Sequence, residues 1–277
     1  MWANRDWVGR WLPHDTPVGR ELEAYSRFCN AVEGNTTFYA TPETATVARW
    51  RDATEPGFRF VFKLPREITH DRRLRDVAEP LTTFLERLEP LRERLGPIMV
   101  QLPATFGPSD LDVLAAFLTH APRNVRWAVE VRHLAFHAGG DAERPLNDLL
   151  HHHDVDRVIF DSRPVFAGPC QTPEEQDAWQ KKPRLPVRPV ATGTEPIVRF
   201  IGQTAAEANP PFWAKWVEVV ARWIEQGRDP IVFLHTPDNL MAPDLCRRFH
   251  AEVASRVGLP PLPDAPAVSY QQGIDLG

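Results

Sequence analysis

A small set of polar residues in this 277-residue chain has the types and positions to do chemistry together. On the apolar runs themselves three are carboxylates (Glu33, Glu130 and Asp161) and three are cations (Lys63, Arg132 and Arg199); His235, Gln101, Asn35 and a fourth carboxylate, Asp238, complete the set. Each stands at, or just beyond, the C-terminal half of a short apolar run. Glu130 and Asp161, on adjacent runs, are expected to form a carboxylate pair whose mutual repulsion splits their pKa values for acid–base work. His235 suits general acid–base transfer. These three are the expected catalytic groups. Glu33, Asn35, Lys63, Gln101, Arg132, Arg199 and Asp238 are the expected ligand-binding groups, because guanidinium forks and ammonium groups hold carboxylate or phosphate. Buried charges must be paired or occupied by a ligand. The ligand implied is a small anionic or polyhydroxylated molecule, and the alternative is a salt-bridge lattice that only fills the interior.

The elements that must position these residues are short. Runs rich in β-branched or aromatic residues predict strands over Asn30–Glu33, Phe58–Lys63, Ile98–Gln101, Arg126–Arg132, Arg157–Asp161, Ile197–Ile201 and Ile231–His235. Amphipathic spacing predicts helices over Glu21–Cys29, Glu43–Ala53, Leu81–Leu95, Asp110–Thr119, Leu146–His153, Phe212–Glu225 and Pro243–Val257. Thr41-Pro42 reads as the start of the second helix and Ser109 as the cap of the fourth. Strands alternating with helices imply parallel βαβ units, and seven such units without a linker favour one (β/α) barrel over two nucleotide-binding halves. The expected domain is residues 1–258, with a long insertion at 162–196 in which Pro173–Lys182 can form a helix. A Pro-rich, poorly ordered tail is expected over 259–277. Alternation along a strand puts Glu130 and Arg132 on one face, and in such barrels the C-terminal strand ends build the active site.

Other features exclude more than they assert. A net charge of −5 argues against a broad basic footprint for nucleic acid, so a nucleic-acid or phosphodiester role is an alternative rather than the first reading. A noncatalytic sensor or assembly factor is the other alternative. No apolar run is long enough for a membrane helix, and the first residues have no apolar core of a secretory signal, so a cytoplasmic protein is expected. Cys29, Cys170 and Cys246 are too scattered for a disulfide framework. Glu33, Glu130, Asp161 and His235 could ligate a metal, but the interleaved Lys and Arg compete with a cation, so no metal is expected and no cofactor is named. His151-His152-His153 reads as a helix C-terminus remote from the site. The Trp213, Trp216 and Trp223 stripe reads as packing. Gly202 could open a phosphate-binding loop, though no P-loop or dinucleotide fingerprint is present.

The strand-end blocks carry a family resemblance. In order they are Val32-Glu33-Gly34-Asn35-Thr36-Thr37-Phe38-Tyr39, Phe62-Lys63-Leu64-Pro65 with Ile68-Thr69-His70, and Gln101-Leu102-Pro103. Then follow Val129-Glu130-Val131-Arg132-His133, Asp161-Ser162-Arg163-Pro164, Val198-Arg199-Phe200-Ile201-Gly202 and Phe233-Leu234-His235-Thr236-Pro237-Asp238. The chain resembles the YecE-like family, the proteins of domain of unknown function 72, across nearly its whole length. The resemblance implies a TIM-barrel-like fold in a soluble bacterial protein and supplies no reaction. It carries over Glu33, Asn35, Thr37, Tyr39, Lys63, His70, Gln101, Glu130, Arg132, His133, Asp161, Arg199, His235 and Asp238. One departure stands out. Members of this family begin with a short strand ending in Gly, whereas Met1 falls where that strand should already have finished. Either the barrel lacks its first strand or translation starts upstream.

Overall fold

The computed structural model describes residues 2–137 and 139–264. The outer part of the expected tail, 265–277, lies outside the described residues.

Seven strands alternate with helices. The strands are β1 (Ala31–Gly34), β2 (Arg59–Phe62), β3 (Ile98–Gln101), β4 (Trp127–Glu130), β5 (Asp156–Asp161), β6 (Ile197–Ile201) and β7 (Ile231–His235). The helices are α1 (Glu21–Ser26), α2 (Thr44–Asp52), α3 (Ala78–Leu88), α4 (Leu111–His120), α5 (Glu143–His152), α6 (Arg163–Ala167), α7 (Pro173–Lys181), α8 (Pro210–Glu225) and α9 (Ala242–Val257). Two expected helix starts are built differently from the sequence reading. Helix α2 starts at Thr44 behind Glu43, so Thr41-Pro42 lies outside it. Ser109 sits inside a 3-10 turn, Pro108–Asp110, that leads into α4, and the Asp110 carboxylate instead accepts the Gly107 N–H at 3.0 Å. Prolines inside helices fall in the first turn (Pro80, Pro145, Pro173, Pro210, Pro243), where the missing N–H costs no internal hydrogen bond.

All strand pairings are parallel. β3 to β7 form a five-stranded sheet in chain order, and β1 pairs with β2. Isolated bridges Phe60↔Leu95 and Lys63↔Met99 bring β2 against β3. The five-stranded sheet curls as half of a barrel wall. Its inward residues Met99, Ala128, Val158, Ile197, Ile231 and Phe233 meet Val61 of β2 in one apolar cluster, with Ala31 of β1 packed against it. Alternate residues face outward into two larger clusters beneath the helices. Among the described residues β1 pairs only with β2 and β7 only with β6. A cavity of about 500 Å³ opens beside these two strands, lined by Val32, Ile231, Phe233, Cys246 and Val253 among others.

The 162–196 insertion is organised. Helix α7 starts with a capping box, Thr172 and Glu175 bonding each other's backbone. α6 and α7 pack Val165 and Ala178 onto Phe160 and Ile201, which stand on the inward face at the C-terminal ends of β5 and β6. The stretch after α7 is pinned by Ser162 Oγ donating to the Pro183 carbonyl at 2.6 Å and by Thr192 Oγ1 donating to the Val155 carbonyl at 2.7 Å. His151 of the histidine run lies 3.1 Å from the Thr192 carbonyl through Nδ1, at the N-terminal end of β5. The described tail residues Leu259, Pro260 and Leu262 line the cavity. No described helix is long and apolar enough to cross a membrane.

One close approach locks β1 to β2. Gly34 sits opposite Phe62 in the register, and a Cβ at Gly34 would lie 2.3 Å from the Phe62 ring. Phe62 cannot swing aside, because it stacks on Trp50 and Phe60 and is fully buried. Gly34→Ala is therefore expected to destabilise the fold by about 1–3 kcal/mol, the usual range for overpacking. Chemical denaturation measures it, and an unchanged midpoint would contradict this packing.

Candidate functional site

The polar cluster forms because inward positions change character along each strand. One layer is apolar (Val61, Met99, Ala128, Val158, Ile197); two residues further on come Lys63, Gln101, Glu130, Phe160 and Arg199. Glu33 of β1 and His235 of β7 stand at the same end.

Arg199 is the centre. Its Nε donates to Glu33 Oε2 at 2.7 Å and its Nη2 to Glu33 Oε1 at 2.8 Å, a bidentate fork. Its Nη1 donates to Glu130 Oε2 at 2.7 Å. Arg132 takes the other oxygen of Glu130 through Nε at 2.9 Å and the Gln101 carbonyl oxygen through Nη2 at 3.0 Å. Lys63 Nζ lies 3.3 Å from Glu33 Oε1. The Phe160 ring lies 5.2 Å from the Arg199 guanidinium carbon and 5.8 Å from that of Arg132. Glu33, Glu130, Arg199, Lys63 and Gln101 are all buried, while the Arg132 side chain keeps 25% of its surface exposed. The cluster thus has a closed floor and an open rim.

The charges set one another's protonation. Burial alone would raise the Glu130 carboxyl, but Arg199, Arg132 and Lys63 hold it at about 2. Against the same burial, Arg199 and Lys63 hold Glu33 well below the usual range. Burial, reinforced by Arg199 and Arg132, lowers the Lys63 ammonium even though Glu33 opposes it. Burial also lowers His235, with Arg199 and Lys182 adding to it against Glu33. His235 Nε2 lies 3.6 Å from Glu33 Oε2, beyond hydrogen-bonding reach, and its Nδ1 lies 3.3 Å from Asn239 Oδ1.

The structure therefore brings together Glu33, Lys63, Gln101, Glu130, Arg132, Arg199 and His235. It places two other expected residues elsewhere. Asp161 is fully buried but faces outward: its carboxylate accepts the Arg163 backbone N–H at 3.1 Å, the Arg163 guanidinium at 2.9 and 2.7 Å, and Trp216 Nε1 of α8 at 2.8 Å. The physical reason is strand parity. Phe160 holds the inward position at that level, so Asp161 goes to the helix side and forms no pair with Glu130. Asp238 accepts Thr236 Oγ1 at 2.8 Å and the Leu240 N–H at 2.9 Å, shaping the turn after β7. That turn presents the Asn239 and Leu240 carbonyls to the Trp7 and Trp11 indoles at 2.9 and 3.1 Å. Asn35 is half-buried just past β1 with Oδ1 unpartnered among the described residues. Gly202 opens no anion cradle. Its N–H is spent on the His235 carbonyl, and the next N–H, of Gln203, is taken by the Asn209 side chain, which also binds three carbonyls of the loop.

One residue escaped the sequence reading. Lys182, at the end of α7, interacts electrostatically with Arg199, Arg132, Glu33 and Glu130. In sequence, Lys181-Lys182 reads as an ordinary solvated helix end, and only the path of the insertion over Phe160 and Ile201 brings it to the cluster. Among the described residues no group of three or more His, Cys, Asp or Glu is arranged to hold a metal ion.

Comparison with known proteins agrees with the strand-end motifs. The family described as "Protein of unknown function DUF72" matches residues 1–268. The chain is 41% identical over 274 residues to UPF0759 protein YecE of Escherichia coli strain K12, covering 99% of this chain and 97% of that protein, and equally to that of E. coli O157:H7. Among solved structures, a DUF72 family protein from Enterococcus faecalis V583 has a TM-score of 0.64 at 21% identity, covering 94% of each chain. One from Thermotoga maritima MSB8 has a TM-score of 0.64 at 21% identity, covering 90% of this chain and 96% of that one. At those identities the two structures speak for the fold alone. The relatives at 41% identity and the match along nearly the whole chain make this protein a member of the DUF72 family.

Proposed function

We propose that residues 1–258 form one TIM-like (β/α) barrel unit whose C-terminal end binds a small anionic ligand. The observation that carries this reading is the saturation of Arg199. Each of its three nitrogens donates to Glu33 or Glu130 and the side chain is buried, so it serves as a frame rather than a ligand contact. Arg199 balances one of the two carboxylate charges, and Lys63 and Arg132, paired with the same carboxylates, exceed the one that is left. A negative ligand offsets the cost of holding them there. Gln101 and Asn35 supply neutral polar contacts. His235, whose burial favours the neutral ring, can accept a proton from a bound molecule, which suits acid–base chemistry on an anion. A reducing, cytoplasmic setting is supported by the three cysteines, all free thiols.

Two tests separate frame from function. Glu130 is held at about 2 when folded, against ~4.3 for an ordinary Glu. A lowered carboxylate contributes stability above its unfolded pKa and loses it as pH falls towards the folded value. Wild type should therefore lose stability as pH drops from about 5 to about 2, and Glu130→Gln should be less stable at neutral pH with a flatter acid limb. Thermal unfolding across that range checks it, and parallel curves for the two proteins would refute the frame. Arg199→Gln should cost about 3–5 kcal/mol, because it leaves two buried carboxylates short of a partner.

For function, the protein is incubated with a metabolite extract and retained species are read by mass spectrometry. Wild type should retain an anionic molecule that the double variant Lys63→Gln/Arg132→Gln loses while remaining folded. Equal retention by both proteins, or retention of neutral species only, would overturn the reading.

A further inference from the structure

The rim of the cluster carries more positive charge than its carboxylates can balance, and the imbalance indicates what the ligand is. We propose that the ligand is a dianion of the phosphate type, held by Lys63, Arg132 and Lys182, the last delivered over the strand ends by the 162–196 insertion. The inference rests on the anion-site reading above and narrows it to a chemical class.

The charge count comes first. Four cations, Lys63, Arg132, Lys182 and Arg199, share their electrostatic neighbourhood with two carboxylates, Glu33 and Glu130. Burial, together with the surrounding cations, lowers His235 and His70, so at neutral pH both rings are uncharged and add nothing. Flanking charges are settled outside the cluster: Arg163 binds Asp161, and Arg66 lies 3.2 Å from Asp71. The surplus is two positive charges in a largely buried place. A neutral sugar would leave that surplus unmet and a monoanion would meet half of it, whereas a dianion closes it.

The donor geometry points the same way. Arg132 commits Nε to Glu130 and Nη2 to Gln101, which fixes its plane and leaves Nη1 for a ligand. Among the described residues Lys63 has one ion pair, with Glu33. Lys182 is brought in by packing. α7 sits on Phe160 and Ile201 through Ala178, Trp179 Nε1 donates to the Val165 carbonyl at 2.9 Å, and Ser162 anchors Pro183, the residue after Lys182. Phe160 is also the ring beneath Arg132 and Arg199, so the helix that carries Lys182 rests on the floor of the cluster. The three donors come from β2, the end of β4 and the insertion. A phosphoryl group, with three terminal oxygens, can accept from all three at once.

Isothermal titration of the whole chain at about pH 8 and constant ionic strength tests this with sodium sulfate, inorganic phosphate and acetate. Sulfate and phosphate should bind, and acetate at least tenfold more weakly. Lys182→Gln should weaken sulfate at least tenfold, while Lys181→Gln, one residue away on the exposed helix end, should leave it unchanged. Acetate binding as tightly as sulfate would overturn the dianion class and leave the anion site standing. Full sulfate affinity in folded Lys182→Gln would remove Lys182 from the site. Failure of all three anions to bind would sink the anion-site reading itself.

Discussion

The arrangement depends on one guanidinium. Arg199 on β6 reaches Glu33 on β1 and Glu130 on β4, and so ties the two-stranded sheet to the middle of the five-stranded one. The fork is worth most where it sits. β1 and β7 share no ladder, so across that side of the molecule the inward contacts are the apolar layer below, Arg199–Glu33 and the looser His235–Glu33 approach. A salt bridge in water contributes little, but breaking one in a buried cluster strands a charge and is costly. The same interaction that joins the sheets holds both carboxylates, which Lys63 and Arg132 also pair, and the cations outnumber them.

Much of this was legible in the sequence. β3, β6 and β7 begin and end where the apolar runs predict, because Gly96-Pro97, Pro196 and Pro230 lead into them and allow little freedom in register. β2 and β4 are shorter than their apolar patterns, since pairing stops where the backbone turns into the polar loops, and β1 is shifted by one residue. Strand alternation groups Glu130 with Arg132, and both meet in the cluster. At β5 alternation alone does not choose a face. Arg157-Val158-Ile159-Phe160-Asp161 has apolar residues on both faces, and only packing shows that Phe160 takes the inward position and Asp161 the helix side.

Two kinds of information were not available from sequence at all. Asp238 looks like a site residue, yet it is spent on the local turn, a role that any Asp two residues before a free N–H can take. Lys182 looks like surface charge, yet the fold carries it to the cluster. Both depend on chain path, which composition and periodicity do not encode. Family membership agrees with the resemblance that the motif blocks carry, but it brings no reaction, so the chemistry rests on the cluster itself.

The central claim is that Arg199 is committed to Glu33 and Glu130, and that the two-charge surplus of the whole cluster is met at Lys63, Arg132 and Lys182 by a doubly charged anion. The most direct measurement is anomalous diffraction from crystals soaked in selenate, a sulfate-like dianion whose selenium can be located without prior assumption. The account predicts a selenium peak within hydrogen-bonding reach of Lys63, Arg132 and Lys182, with the Arg199 fork on Glu33 intact. A selenate that displaces Glu33 from Arg199, or that binds only away from this cluster, would contradict it.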